Sequence, residues 1–230
     1  MAHEHDSKYH DVAGDMEPLG FARLVFGTNG GIQATPPDFS AKIGPANTFT
    51  PPGAPDYANS EPSVGRFLGR LVFYKKPAVV VEIGCLGGYT SAHLAMALQA
   101  NGHGVLYCVD PEQLHLDITR SNLKRLGLDG ALKTVLGTSL DPKVVLALPK
   151  AIDVLFLDTA HEYPDTLEDI KLYSTLLAEG GCLVMHDSVS HFNVRRSIAE
   201  VAGKFRVLTF ATERGDGVSV LLNAASPIAL

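Results

Sequence analysis

Two hydrophobic periods alternate along residues 60–222. Val64, Phe67, Leu68, Leu71 and Val72 recur at i, i+3, i+4, i+7 and i+8, the spacing of a helix with one buried face. Ser60-Glu61-Pro62 stands before them, where serine can cap and proline is tolerated in the first turn. The period then shortens. Val79-Val80-Val81-Glu82-Ile83 is a β-branched apolar run suited to a strand buried on both faces. It breaks into the glycine-rich turn Gly84-Cys85-Leu86-Gly87-Gly88, and from Tyr89, Thr90 and Ser91 a helical spacing resumes as far as Leu98.

The alternation continues. Residues 104–110 read as a second strand, and Pro111 opens a helix through Leu114, Ile118, Leu123 and Leu126 that Gly127 closes. A third strand over 132–136 runs into Gly137-Thr138-Ser139 and a short helix near 143–147. The fourth strand covers 153–158; the helix after it starts at the capping pattern Asp165-x-x-Glu168 and stops at Gly180-Gly181. Residues 182–187 form the fifth strand. A helix over 194–202 then leads to a strand over 205–210, and Arg214-Gly215-Asp216-Gly217 turns it back into 218–222 as a hairpin. Strands alternating with helices predict a mostly parallel α/β sheet covered on both faces, here ending in an antiparallel strand.

Residues 1–59 differ. Half of the 14 prolines lie before residue 57, and only 16–26, with Phe21, Leu24 and Val25, has helical spacing. We expect 1–59 to be a tail and lid that cannot fold alone, and 60–230 to be the main domain.

Composition narrows the function classes. With 46% hydrophobic and 19% charged residues in 230, the chain is globular in type and long enough to bury a substantial core. A net charge of −6, with no more than two adjacent Lys or Arg, argues against a nucleic-acid partner. No apolar run reaches the ~18 residues of a membrane helix, and the start lacks the features of a signal peptide, so no membrane partner and a cytoplasmic location are expected. Cys85, Cys108 and Cys182 fall in or beside apolar runs and are expected as buried free thiols. The histidines at 3, 5 and 10 are expected to be solvated. Homo-oligomer formation stays open.

In an open α/β sheet, ligands bind beyond the carboxyl ends of the strands. Those ends carry Glu82 and Gly84, Asp110, Ser139, Asp158 with His161, and His186-Asp187-Ser188. Strand, glycine turn and helix together make a nucleotide-binding loop. A carboxylate at Glu82 would repel a pyrophosphate but suits hydroxyls and a cation, which favours S-adenosylmethionine over NAD. Asp110 lies 26 residues past Gly84, near the ~20 at which an acidic residue holds ribose hydroxyls; it could equally cap the next helix. Ser139 could border the adenine. Asp158 and Asp187 end adjacent strands, and two close carboxylates suit a hard divalent cation such as Mg2+ unless they are merely solvated. His161, three residues after Asp158, could take a proton from a hydroxyl, or simply bond a neighbour. His191 and Tyr163 border the same rim and are expected to pack.

These motifs resemble a family. From about residue 60 to 222 the chain resembles the class I S-adenosylmethionine-dependent methyltransferases. Glu82-Ile83-Gly84-x-x-x-Gly88-Tyr89 is similar to the cofactor loop of metal-dependent O-methyltransferases of the catechol and caffeoyl-coenzyme A type, with Leu86 at the middle glycine. Asp158-Thr159-Ala160-His161 with His186-Asp187-Ser188 is similar to the macrolide-sugar and cephalosporin-tailoring O-methyltransferases. The resemblance implies a Rossmann-like seven-stranded sheet of order 3-2-1-4-5-7-6 with one antiparallel strand. It also implies a cofactor site using Glu82, Gly84, Gly88, Tyr89, Thr90, Ser91, Asp110 and Ser139. Catalysis would fall to His161 and Asp158, and Mg2+ or another divalent cation to Asp158, Asp187 and Ser188. Ser188 replaces the asparagine of the catechol type, and His186 replaces an acidic residue of the macrolide-sugar type, so either could be the third ligand. The acceptor would be a hydroxylated small molecule. A cofactor-binding protein without catalysis, or an NAD-dependent oxidoreductase, are the alternatives.

Overall fold

A computed structural model describes residues 10–11, 39–55 and 58–223. Its sheet is built from β1 (Val79–Ile83), β2 (Val105–Asp110), β3 (Leu132–Leu136), β4 (Ile152–Leu157), β5 (Leu177–His186), β6 (Phe205–Ala211) and β7 (Val218–Asn223). The order across it is 3-2-1-4-5-7-6, and β7 alone runs antiparallel, between β5 and β6. This is the Rossmann-like arrangement expected. The pair His10–Asp11 adds a short parallel strand against Phe210 and Ala211.

Strand periodicity of two divides the core. Val80, Cys108, Phe156 and Val184 pack in one layer with α2 (Pro62–Lys75) and α3 (Tyr89–Asn101). Val81, Val109, Leu155 and Leu183 pack in the other with α6 (Asp165–Ser174) and α7 (Phe192–Val201). Both layers are buried, which is why the central strands are apolar along their whole length. The remaining α-helices among the described residues are α1 (Phe39–Ile43), α4 (Gln113–Arg125) and α5 (Pro142–Ala147). Val64, Phe67, Leu68, Leu71 and Val72 form the buried face of α2 as their spacing predicts. Part of the proline-rich stretch is built into the same core: Phe39, Ile43 and Phe49 are buried, and Phe49 packs edge-on against Tyr89. The helix expected over 16–26 lies outside the described residues.

Several local expectations are corrected. The N-cap of α2 is Glu61 rather than Ser60. In α4 the buried residues are Leu116, Thr119 and Leu123, while Leu114 is 56% exposed; the period is right and its phase is shifted. Pro164 precedes α6 as its cap, and Asp165 and Glu168 fall in the first turn without a capping bond. Gly180-Gly181 does not stop that helix. It sits within β5, where the pairing jumps from Ile152–Leu177 to Val154–Cys182 and the positive φ of Gly180 absorbs the irregularity.

Candidate active site

The loop after β1 is held from behind by two carboxylates. Glu82 is 0% exposed, and its oxygens accept the hydroxyls of Thr90 and Ser91 at the start of α3. Burial pushes its carboxyl up to about 7 against those opposing bonds. Asp110, at the end of β2, accepts the backbone N–H of Cys85 at 3.2 Å and of Leu86 at 3.1 Å through one oxygen. Its other oxygen receives the N–H of Glu112 at 3.0 Å and faces His115 Nδ1 at 2.9 Å. The loop is therefore shaped by carboxylates at the ends of β1 and β2. Gly88 caps α3 with a left-handed backbone (φ +83), and a Cβ there would meet Thr119 of α4 at 2.8 Å.

A cavity of about 390 Å³ opens above these strand ends. Gly84, Leu86, Asp110, His115 and Ser139 line one part of it, and Asp158 and His161 line another. Expected site residues are thus divided. Gly84, Asp110, Ser139, Asp158 and His161 meet at one cavity, whereas Glu82, Gly88, Tyr89, Thr90 and Ser91 do not line it. Tyr89 is buried between Phe49 and His93. The side chains of Glu82, Tyr89, Thr90 and Ser91 are engaged in packing or in bonds within the loop, and Gly88 caps α3, so all five stand behind the cavity wall.

Across the cavity, β4 and β5 end side by side, with Leu157 paired to Met185. This register brings Asp158, His161, His186 and Asp187 together. His161 Nε2 stands 3.4 Å from Asp158 Oδ1 and 3.0 Å from Asp187 Oδ2. His186 Nδ1 stands 3.4 Å from Asp158 Oδ2 and 3.2 Å from Asp187 Oδ2. Ser60 Oγ donates to Asp158 Oδ2 at 3.0 Å. Burial would raise both carboxyls, but the neighbouring imidazoles outweigh it and hold Asp158 and Asp187 well below the usual carboxylate range. Burial likewise opposes charge on His161, yet the two carboxylates raise it to about 9. His161 and Asp187 both have positive φ (+61 and +55), strain on the order of 1–3 kcal/mol each that clusters at functional sites.

Despite this closeness, His161 Nε2, His186 Nδ1 and Ser188 Oγ are buried without a hydrogen bond among the described residues. Two carboxylates with imidazole nitrogens 3.0–3.4 Å away, all within reach of one ion, make a donor set suited to a divalent cation. Tyr163 turns outward instead, its hydroxyl donating to Glu200 at 2.9 Å beneath the Arg196 guanidinium. His191 stacks at 4.7 Å on His161. Sequence spacing gives no sign of Glu61, whose Oε2 lies 2.8 Å from His186 Nε2. It is far from the other site residues in sequence, and only the fold brings it in. His115 could have been found, since it falls one turn into the helix that starts at the β2 end.

Sheet order, the carboxylate-backed glycine loop and the acidic strand ends define the class I methyltransferase fold, with a hairpin that the dinucleotide-binding order 3-2-1-4-5-6 lacks. Known proteins agree. A family described as "Methyltransferase domain" matches residues 81–188. The catechol O-methyltransferase of Niastella koreensis is 27% identical over 151 residues, 65% of this chain and 66% of that protein. That of Mycobacterium tuberculosis is 30% identical over 125 residues, 54% of each. The chain thus spans between half and two thirds of these curated relatives. Among solved structures, the O-methyltransferase from Bacillus cereus in complex with SAH superposes with a TM-score of 0.64 at 22% identity, over 73% of this chain and 83% of that one. TomG from Streptomyces achromogenes, in complex with SAM, superposes at 0.64 with 24% identity, over 84% and 92%. Residues 81–188 thus match a methyltransferase-domain family and the sheet has the class I methyltransferase order, while the curated relatives that the chain resembles are catechol O-methyltransferases.

Proposed function

We propose that this protein transfers the sulfonium methyl of S-adenosylmethionine to a hydroxyl of a small molecule, with His161 as base and Mg2+ or another divalent cation at Asp158 and Asp187. The observation that carries the reading is the single cavity joining Asp110 and Ser139 to Asp158 and His161. In this reading the cofactor's ribose lies by Asp110 and its base by Ser139, and Gly84 lets the backbone pass close. Glu82, Gly88, Tyr89, Thr90 and Ser91 serve the cofactor through the shape of the loop. The part of the expected lid at 39–55 and 58–59 acts as a cover, supported by Ala58 in the cavity wall.

The acceptor oxygen forms a bond to the methyl carbon as the carbon–sulfur bond breaks. Its electron pair leaves on sulfur, the product is S-adenosylhomocysteine, and the hydroxyl proton passes to His161 Nε2. When bound, a cation supplies Lewis acidity to the acceptor hydroxyl and cancels the carboxylate field that otherwise keeps His161 protonated. Holding donor and acceptor in line supplies much of the rate, ~7–11 kcal/mol for a well-oriented pair. The catechol-directed relatives suggest an aromatic vicinal diol as the first acceptor to try. Buried Cys85, Cys108 and Cys182 suit a reducing cytoplasm, and no helix among the described residues is long and apolar enough to cross a membrane.

The test is incubation of the full chain with S-adenosylmethionine, Mg2+ and a panel of hydroxylated acceptors, followed by mass spectrometry. An O-methylated product and S-adenosylhomocysteine in equal amounts are expected. Cofactor binding with no methylated acceptor would instead favour a non-catalytic protein.

A further inference from the structure

His186 holds a nitrogen where an oxygen-only site would have none. Its Nε2–H donates to Glu61 Oε2 at 2.8 Å. Glu61 is itself 0% exposed and also accepts the Thr212 hydroxyl. With one ring proton held at Nε2 by Glu61, Nδ1 is the nitrogen that can give up its proton and offer a lone pair to a cation. His186 is 4% exposed, and Nδ1 makes no hydrogen bond among the described residues. It faces Asp187 Oδ2 at 3.2 Å and Asp158 Oδ2 at 3.4 Å. The three atoms lie close enough together to be neighbouring ligands of one cation, which would take the place of the imidazole charge that otherwise pairs the two carboxylates. Separations of this size are those of neighbouring ligands around a cation with bonds of ~2.0–2.4 Å.

We infer that His186 Nδ1 is the third protein ligand of the cation site, that Glu61 is its positioning residue, and that the site therefore prefers a first-row transition cation to Mg2+. The inference rests on the proposed cation role of Asp158 and Asp187. A carboxylate that takes the far N–H of a ligating histidine fixes its ring and tautomer. Here Glu61, at the start of α2, performs that task for a residue at the end of β5. Ser188, the other option for third ligand, is likewise buried without a hydrogen bond among the described residues, but a neutral hydroxyl is a weaker ligand than an imidazole for a first-row transition cation. Glu61, His186 and Asp216 also cluster on the far side of the ring. There the Arg214 guanidinium, 3.6 Å from Glu61 and 3.1 Å from Asp216, already supplies positive charge. Imidazole suits Fe2+, Co2+ and Zn2+, whereas Mg2+ takes oxygen ligands and keeps its waters.

The experiment titrates the metal-free full chain with Co2+ and with Mg2+ by calorimetry, then records electron spin echo modulation of bound Mn2+. Co2+ should bind at least about tenfold more tightly than Mg2+. Glu61→Gln should weaken Co2+ by ~10–100-fold. His186→Asn should weaken Co2+ at least as much while changing Mg2+ little. Nitrogen modulation of Mn2+ should appear in the native chain, persist in His161→Ala and vanish in His186→Asn. The first two of those spectra decide the matter even if His186→Asn fails to fold. Equal affinity for Co2+ and Mg2+, or bound Mn2+ without nitrogen coupling in His161→Ala, overturns this inference and leaves the cation role of the two aspartates standing. Failure of Co2+, Mn2+ and Mg2+ alike to bind overturns both.

Discussion

A Cβ on Gly84 would stand 1.8 Å from the carbonyl oxygen of Asp158. The loop after β1 and the end of β4 are therefore in backbone contact, joined also by the bond from Asp158 N–H to Ile83 O at 2.9 Å. Gly84 has φ +89 as well, so a side chain there meets both a steric and a conformational penalty. Gly84→Ala should lower stability by ~1–3 kcal/mol or more and weaken cofactor and cation binding together. Gly102→Ala is the control: its φ is +76, but nothing lies within 4 Å of the added carbon. Thermal unfolding and calorimetry on both variants check this. Equal behaviour of the two would show that the contact carries no constraint.

Glu82 carries a pH dependence of stability with a defined sign. Its folded carboxyl is raised by burial from 4.5 to about 7. The stability it contributes is present below about 4.5 and is lost as pH rises through about 7. Compared with Glu82→Gln, the native chain should lose up to roughly 3 kcal/mol across that window. Denaturant unfolding of both proteins at a series of pH values reads the difference, and a constant gap would mean that Glu82 stays ionised throughout.

Asp110→Ala removes the acceptor for two loop amides, Cys85 and Leu86. Leaving such donors unpaired costs ~1–3 kcal/mol each. Affinity for S-adenosylhomocysteine, measured by calorimetry, should fall by about tenfold or more. Unchanged affinity would remove Asp110 from the cofactor wall.

His161→Ala should lower the turnover number by ~10²–10⁴-fold, the range for a lost general base. Affinity for S-adenosylhomocysteine should hold, because the residues proposed to contact the cofactor remain. Steady-state kinetics beside a binding titration separates the two effects; a loss confined to KM would assign His161 to substrate binding.

Much of the sheet was legible because its strands are apolar on both faces and end in charged residues. Asp158 and Asp187 could be placed together from strand order alone. Glu82 was legible as special, but its bonds to Thr90 and Ser91 were not, since sequence spacing cannot distinguish a carboxylate facing a ligand from one facing two nearby hydroxyls. Gly180-Gly181 misled because glycine marks a helix end and a strand irregularity alike. Glu61 was invisible because its bond to His186 spans 125 positions, and only tertiary folding creates it.

The most direct test of the account is the initial rate of methyl transfer to a hydroxylated acceptor, measured with the full chain before EDTA, in EDTA and after divalent cation is restored. Asp158, Asp187 and the buried nitrogens beside them predict that the rate vanishes in EDTA and returns with the cation, while S-adenosylmethionine binding is unaffected. Full activity in EDTA would contradict a cation-assisted transfer.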